Sequence, residues 1–435
     1  MNSITEAYLD AVAAGRIPED ELVKALGGAG LNQTYYENGH LPRPLFLSRA
    51  EREGLDADLR VLHAALTSLP DRLFDGDAAA FAAAVGAQGP QIDAARAAKG
   101  QVTRLARADL YADAEGFKLL ELNVTGAVGG LENARLNEAY LESPAFAQFA
   151  ADHDLGHVDT LMALAETLGD ETGTAGRQPL VGIVDWPDSY PHLEVQLRRN
   201  AELLGERGVE AVVGHVGMLE YRDGGVWMHG RRLDVVYRLF LVESLLRPGG
   251  AELLAPVLAA AARGEVAMFT PIASELYGSK TALALLSDER HRDRFSAAEL
   301  DVIDRVLPWT RRLRAGPVTV DGERADLLDY ALRDRERLVV KATMLHGGHG
   351  FVAGWLVGPD EWERELRRAE GGPFVLQRRV VPEPELMPDP HTATWGVFLT
   401  GRGYAGTFVR AVPGRDAGVV AYTGGALAGC VFHER

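Results

Sequence analysis

Two sets of polar residues stand inside otherwise apolar, strand-like stretches of this chain. The later set begins where Leu338-Val339-Val340, a short β-branched run, delivers Lys341 at its end, a cation leaving a buried strand. Gly347-Gly348-His349-Gly350 follows, a turn almost without side chains, which lets backbone N–H groups approach an anion while Lys341 adds a point charge. Phe374-Val375-Leu376 then ends on Gln377-Arg378. A lysine, a glycine lid over phosphates and a strand end whose backbone and amide can read adenine are the parts an ATP site needs. No GxxxxGK[ST] occurs in this stretch, so the pattern is not a P-loop. A hairpin with a solvated lysine accounts for the same residues taken alone.

The earlier set lies on two alternating runs, 105–111 and 117–123, separated by a turn at 112–116, a β-hairpin pattern. Arg107 and Asp109 share one face of the first strand, and Glu121 and Asn123 share one face of the second. Pairing about the turn converges these four groups. Two carboxylates and an amide oxygen are hard ligands suited to Mg²⁺, which is commonly held by few protein groups plus phosphate oxygens. The polar outer face of a half-buried hairpin is the plain alternative. Between the two sets, Lys280 sits in the first turn of a helix opened by Ser274 to Ser279, another anion-friendly arrangement.

The elements that must position these residues follow in chain order. Residues 1–100 carry apolar residues at three- and four-residue steps broken by Gly or Pro, a mostly helical region with an extended connector at 41–48. Residues 101–175 hold the acidic hairpin, a glycine-rich turn at 124–130 and further helix. In 176–270, the strand 180–186, a long helix and a second strand make a βαβ unit, followed by a short hairpin and the strand 234–240. In such parallel sheets ligands sit beyond the carboxyl ends of the strands, where Asp185, Tyr237 and Arg238 fall. Arg238 there would suit a substrate carboxylate; a structural ion pair is the alternative. No GxGxxG follows the first strand, which disfavours a nicotinamide site. Residues 271–435 carry Lys280, Lys341, Gln377 and two late strands, the second ending on Arg410; the glycine-rich tail after 420 has no assigned structure.

With 435 residues, 47% apolar and 25% charged, the chain is expected to be a soluble protein of two or three domains. A net charge of −17 argues against general nucleic-acid or anionic-membrane binding, so a phosphate site must be a local basic pocket. The single Cys430 permits neither an internal disulfide nor a cysteine metal cluster, and no base beside it suggests a nucleophile. The acidic N-terminus is not a signal peptide, and the apolar runs are short or Pro-broken, which points to a cytoplasmic enzyme. His346 and His349 lack a third ligand nearby, so phosphate or substrate contact, or simple exposure, fits them better than metal.

The ordered set Arg107-x-Asp109, Glu121-x-Asn123, Lys280, Lys341, Gln377 and Arg410 resembles the circularly permuted ATP-grasp family, and within it the synthetase domain of glutathionylspermidine synthase. The resemblance spans about 30–430 and rests on the order of the set, with the E-x-N preceding both lysines. It implies a mixed α+β and α/β architecture: a permuted ATP-grasp fold, a Rossmann-like βαβ domain ahead of the nucleotide core, and a helical N-terminal region. It further implies that Asp109, Glu121 and Asn123 hold Mg²⁺, and that Lys280, Lys341 and the loop glycines Gly347, Gly348 and Gly350 contact ATP phosphates. Gln377 would lie at the adenine hinge, with Arg107 and Arg410 facing the transferring phosphoryl group. The implied reaction joins a small carboxylate to an amine through an acyl phosphate. A non-catalytic nucleotide-binding protein and a small-molecule kinase are the alternatives; the oligomeric state is left open, a homodimer included. The chain lacks the length and nucleophile of that enzyme's amidase domain, its LHGGHGF loop differs, and no glutathione- or polyamine-binding residue can be placed.

Overall fold

The computed structural model describes residues 3–28, 34–98, 100–345, 349–387, 389–415 and 418–435. The hairpin expected at 105–123 is present as strands Ala106–Asp113 and Gly116–Asn123. Arg107 is registered with Asn123 and Asp109 with Glu121, and a bulge follows Asp109. This hairpin is not a separate unit. It extends a sheet most of whose other strands come from the end of the chain: Ala106–Asp113 pairs antiparallel with Pro390–Thr400, which pairs with Gly403–Pro413, which pairs with Leu427–Glu434.

Two segments read without regular structure from sequence are strands of this central sheet. Leu427–Glu434 lies in the glycine-rich tail, and Leu45–Leu47, within the expected connector, pairs parallel with it. Leu45–Leu47 is too short to show a period, and Leu427–Glu434 is buried on both faces and so does not alternate; both are specified by burial, with Leu45, Leu47, Val431 and Phe432 all core residues. The helix Arg49–Thr67 leaves the edge strand through a capping box, with the Ser48 hydroxyl accepting from the Glu51 amide and the Glu51 carboxylate accepting from the Ser48 amide. Its Leu55, Leu59, Leu62 and Leu66, at helical spacing, are buried in the same core as Val397 and Val409 of the sheet.

A second sheet is wholly parallel, in the order Ala267–Phe269, Val235–Arg238, Leu180–Asp185, Glu210–His215. The expected βαβ unit is its core, with helix Tyr190–Gly205 as the crossover. The expected short hairpin after it is a three-stranded meander, Glu220–Arg222, Gly225–Met228 and Arg231–Leu233. A third sheet, antiparallel, runs Thr310–Arg312, Phe374–Arg378, Leu338–Ala342, Phe351–Ala353. Helix Pro359–Ala369 covers it, burying Trp362, Leu366 and Ala369 against Leu338, Val340 and Leu376. Among the described residues no helix is long and apolar enough to cross a membrane.

Candidate active site

The hairpin's acidic face and the basic residues of the later segments line one cavity of about 280 Å³, which includes Arg107, Asp109, Glu121, Asn123, Lys280, Lys341 and Arg410. Strand alternation puts Arg107, Asp109 and Tyr111 on one face, and all three line it. Asp109 is paired on both sides. Arg107 donates to both its oxygens, at 2.7 and 2.9 Å, and Arg410 donates to Oδ2 at 2.8 Å. Both guanidinium groups lie over the ring of Phe408, at 5.3 and 5.5 Å from its centroid. Gly396, opposite Phe408 and Asp109 in the sheet, makes this possible, since a Cβ there would stand 2.5 Å from the Phe408 ring.

Lys280 opens helix Lys280–Ser287, whose Ser279 N-cap accepts from the Thr281 amide. Its Nζ lies 3.0 Å from Glu121 Oε2 and donates to the Leu345 carbonyl at 3.1 Å. The helix start is set against the hairpin by Gly278, where a Cβ would come within 2.8 Å of the Leu122 carbonyl. Lys341 donates to Gln377 Oε1 at 2.7 Å and to the Leu120 carbonyl at 3.2 Å. Burial pushes its pKa down to about 8, with the charge of Lys280 acting the same way and Glu121 and Asp109 opposing. Gly350 closes the turn after Lys341 with φ +69°, and its carbonyl accepts from the Ala342 amide at 3.0 Å. Gly347 and Gly348, expected to contact phosphate, and His346 lie outside the described residues; His349 lines the cavity.

Gln377 is buried beside this cavity, and its amide is already engaged, taking Lys341 on one side and donating to Thr310 Oγ1 at 3.0 Å on the other. It holds the lysine in place. A small adjoining recess is lined by Lys341, Gln377, Arg378, Arg379 and Val380, at the end of that strand.

The three residues expected at a substrate site divide. Asp185 and Tyr237 line a second cavity of about 340 Å³, which adjoins the first through Ala127, Val128 and Leu241. The Tyr237 hydroxyl is spent on the Gly126 carbonyl, 2.9 Å away. Arg238 does not reach either cavity, which corrects its reading as a carboxylate clamp. It is fully buried and bonded to Glu275 Oε1 at 2.5 Å and to the carbonyls of Thr270 and Phe240. Thr125 Oγ1 donates to the same Glu275 oxygen, so this ion pair ties the turn after the hairpin to the parallel sheet. An unpaired arginine inside the sheet would be too costly, and the chain supplies its counter-ion from Glu275, five residues before Lys280.

Sequence reasoning passed over Phe408 and Glu132. Phe408 was legible, lying two positions before Arg410 on the same strand face. Glu132 carried no signal. It lines the second cavity, accepts from the Tyr36 hydroxyl at 3.3 Å and the Gly130 amide at 3.1 Å, and burial raises its pKa. Cys430 is buried in the central sheet and burial pushes its thiol up, in keeping with an inert apolar role.

The donor set at the first cavity suits a hard cation carried by phosphate: two carboxylates and the Asn123 amide, whose Nδ2 makes a 3.5 Å contact with the Arg107 carbonyl. Among the described residues no group of three or more His, Cys, Asp or Glu forms a self-sufficient metal cluster.

No family model and no curated protein matches this chain. Solved structures do. The apo form of a glutathione synthetase-like effector from Globodera pallida superposes with a TM-score of 0.57 at 12% identity, covering 95% of this chain and 96% of that one. A γ-glutamylcysteine synthetase, described as such only by inference, from Methylobacillus flagellatus gives a TM-score of 0.44 at 12% identity over 86% and 88%. The chain is thus a mixed α/β protein of several sheets, similar in fold to the effector over nearly the whole length of both.

Proposed function

We propose that the chain is an ATP- and Mg²⁺-dependent carboxylate–amine ligase of the permuted ATP-grasp kind, acting on small molecules. The observation that carries this reading is the single cavity shared by Asp109, Glu121 and Asn123 with Lys280, Lys341 and Arg410. The synthetase-like fold of the effector supports it.

Each carboxylate in the cavity is held by a cation that phosphate would also attract: Asp109 by Arg107 and Arg410, Glu121 by Lys280. Arriving phosphate oxygens offer those cations a second partner and free carboxylate oxygens for a metal. Asp109, Glu121 and Asn123 would hold Mg²⁺, which when bound neutralises phosphate charge. Lys280 and Lys341 orient the phosphate chain, and Arg107 and Arg410 face the phosphoryl group in transfer. The substrate carboxylate oxygen attacks the γ-phosphorus, and ADP leaves with the electrons of the broken P–O bond. The amine nitrogen then attacks the acyl carbon; the C–N bond forms, phosphate departs with the electrons of the C–O bond, and one N–H proton passes to phosphate or water. The glycine-rich stretch 346–350 would serve to exclude water from the acyl phosphate.

ADP release measured with pooled acids and amines tests this. ADP should form only when both are supplied, with the amide found by mass spectrometry. ADP formation indifferent to every acid sinks the ligase reading, and a stable phosphorylated product replaces it with a kinase.

A further inference from the structure

The parallel sheet reverses its winding between strands Leu180–Asp185 and Val235–Arg238, the point in such sheets where ligands bind beyond the strand ends. The second cavity opens there, and Asp185 stands at the end of the first of these strands. Asp185 is 6% exposed, yet only its Oδ2 is used, accepting from Ser189 Oγ at 2.7 Å. Its Oδ1 has no partner among the described residues, and Asp185 lines the cavity, so that oxygen is open to a donor on a ligand there.

The rest of the lining decides what kind of donor. Asp185, Glu132 and Glu243 bring three carboxylates, against the single guanidinium of Arg247. That guanidinium is already turned to Asp188, at 3.1 Å, and lies over Trp186. The other arginine of this region, Arg238, is sealed behind the cavity on Glu275. A carboxylate or phosphate would meet mainly like charge here, whereas an ammonium would meet the Asp185 carboxylate. Apart from Ser189, Gln196, Asn200 and Ser244, most of the remaining wall is aliphatic and aromatic, with Leu161, Leu164, Leu197, Leu204 and Phe240, which suits an apolar body on the ligand. The first cavity, with four cations against two carboxylates, has the opposite character, and the two meet at Ala127, Val128 and Leu241.

We propose that the second cavity is the acceptor site, and that it takes a primary amine on an apolar alkyl or arylalkyl body, its ammonium held by Asp185. The proposal deepens the ligase reading and rests on it for the amine's chemical fate, but the binding itself is separable from ATP turnover. Titration calorimetry on the full chain without nucleotide, using 2-phenylethylamine, is expected to show binding. 2-Phenylethanol and phenylacetate are expected to bind at least roughly ten-fold more weakly, through loss of the charge-assisted bond or repulsion by the carboxylates. Asp185→Asn, which keeps the Ser189 contact, should weaken the amine by a similar factor. Leu193→Trp, at a half-open position on the cavity wall, should reduce it by narrowing the space. 2-Phenylethanol or phenylacetate binding as tightly as the amine, or unchanged amine binding in both variants, overturns the proposal. Amine binding with no ADP from any acid–amine pair would instead remove the ligase reading and leave the amine site; ADP driven only by polar amines would do the reverse.

Discussion

Arg410 and Asp109 are 301 residues apart in the chain and are joined by a 2.8 Å hydrogen bond. They lie on strands separated by one other, Pro390–Thr400, and Asp109 bonds Arg107 from its far side. The bond closes the charge arrangement on which the proposed phosphoryl chemistry depends.

Replacing Asp109 by Asn leaves two buried guanidinium groups without their shared anion. Loss of one partner from a buried ion pair costs about 3–5 kcal/mol, so Asp109→Asn should lower the thermal midpoint clearly. ADP release should fall by roughly a hundred-fold or more, since an electrostatic element of the site is lost with it. Unchanged melting and turnover would remove Asp109 from both roles.

Lys341 sets a pH dependence. Its pKa in the folded chain is about 8, below the ordinary 10.5, so between those values the unfolded chain holds a proton that the folded one lacks. Stability therefore rises with pH across that window, and below it the buried charge weighs against folding. Phosphate binding needs the charged form, so ATP affinity should weaken above about pH 8 by up to about ten-fold per unit. Calorimetric titrations with ATP on either side of that pH check this; Lys341→Met should bind more weakly and lose the slope.

Arg238→Met separates a structural role from a substrate-binding one. With Glu275 left buried and unpaired, a loss of about 3–5 kcal/mol is expected in denaturant unfolding. A carboxylate clamp would instead raise KM for the acid with stability unchanged.

Gly126 belongs to the turn shared by both cavities, and a Cβ there would stand 2.4 Å from the Arg238 carbonyl and 2.5 Å from Thr270 Oγ1. Gly126→Ala should cost about 1–3 kcal/mol through overpacking. Gly129→Ala, where a Cβ meets nothing within 4 Å, serves as the control and should be close to neutral.

The acidic hairpin was legible because alternation over eight-residue strands forces Arg107 and Asp109 to one face and Glu121 and Asn123 to one face. The βαβ unit and the strand–turn–strand–helix–strand run around Lys341 were legible for the same reason, since local period and turn residues carry them. Leu45–Leu47 and the tail strand were not, because their strand character comes from neighbours in the sheet and not from their own spacing.

Residue type and order were enough to mark which side chains carry acid, base and phosphate-binding capacity, because those properties belong to the side chains themselves. Which of them meet was decided by long-range packing. Central-sheet pairing brought Arg410 to Asp109, the helix start at Lys280 met Glu121, and burial took Arg238 away from ligand and gave it to Glu275. An arginine at a strand end reads the same in sequence whether it faces a cavity or a counter-ion. Only the fold, by placing a carboxylate 2.5 Å from it and putting Asp185 instead on a cavity wall, tells the two apart.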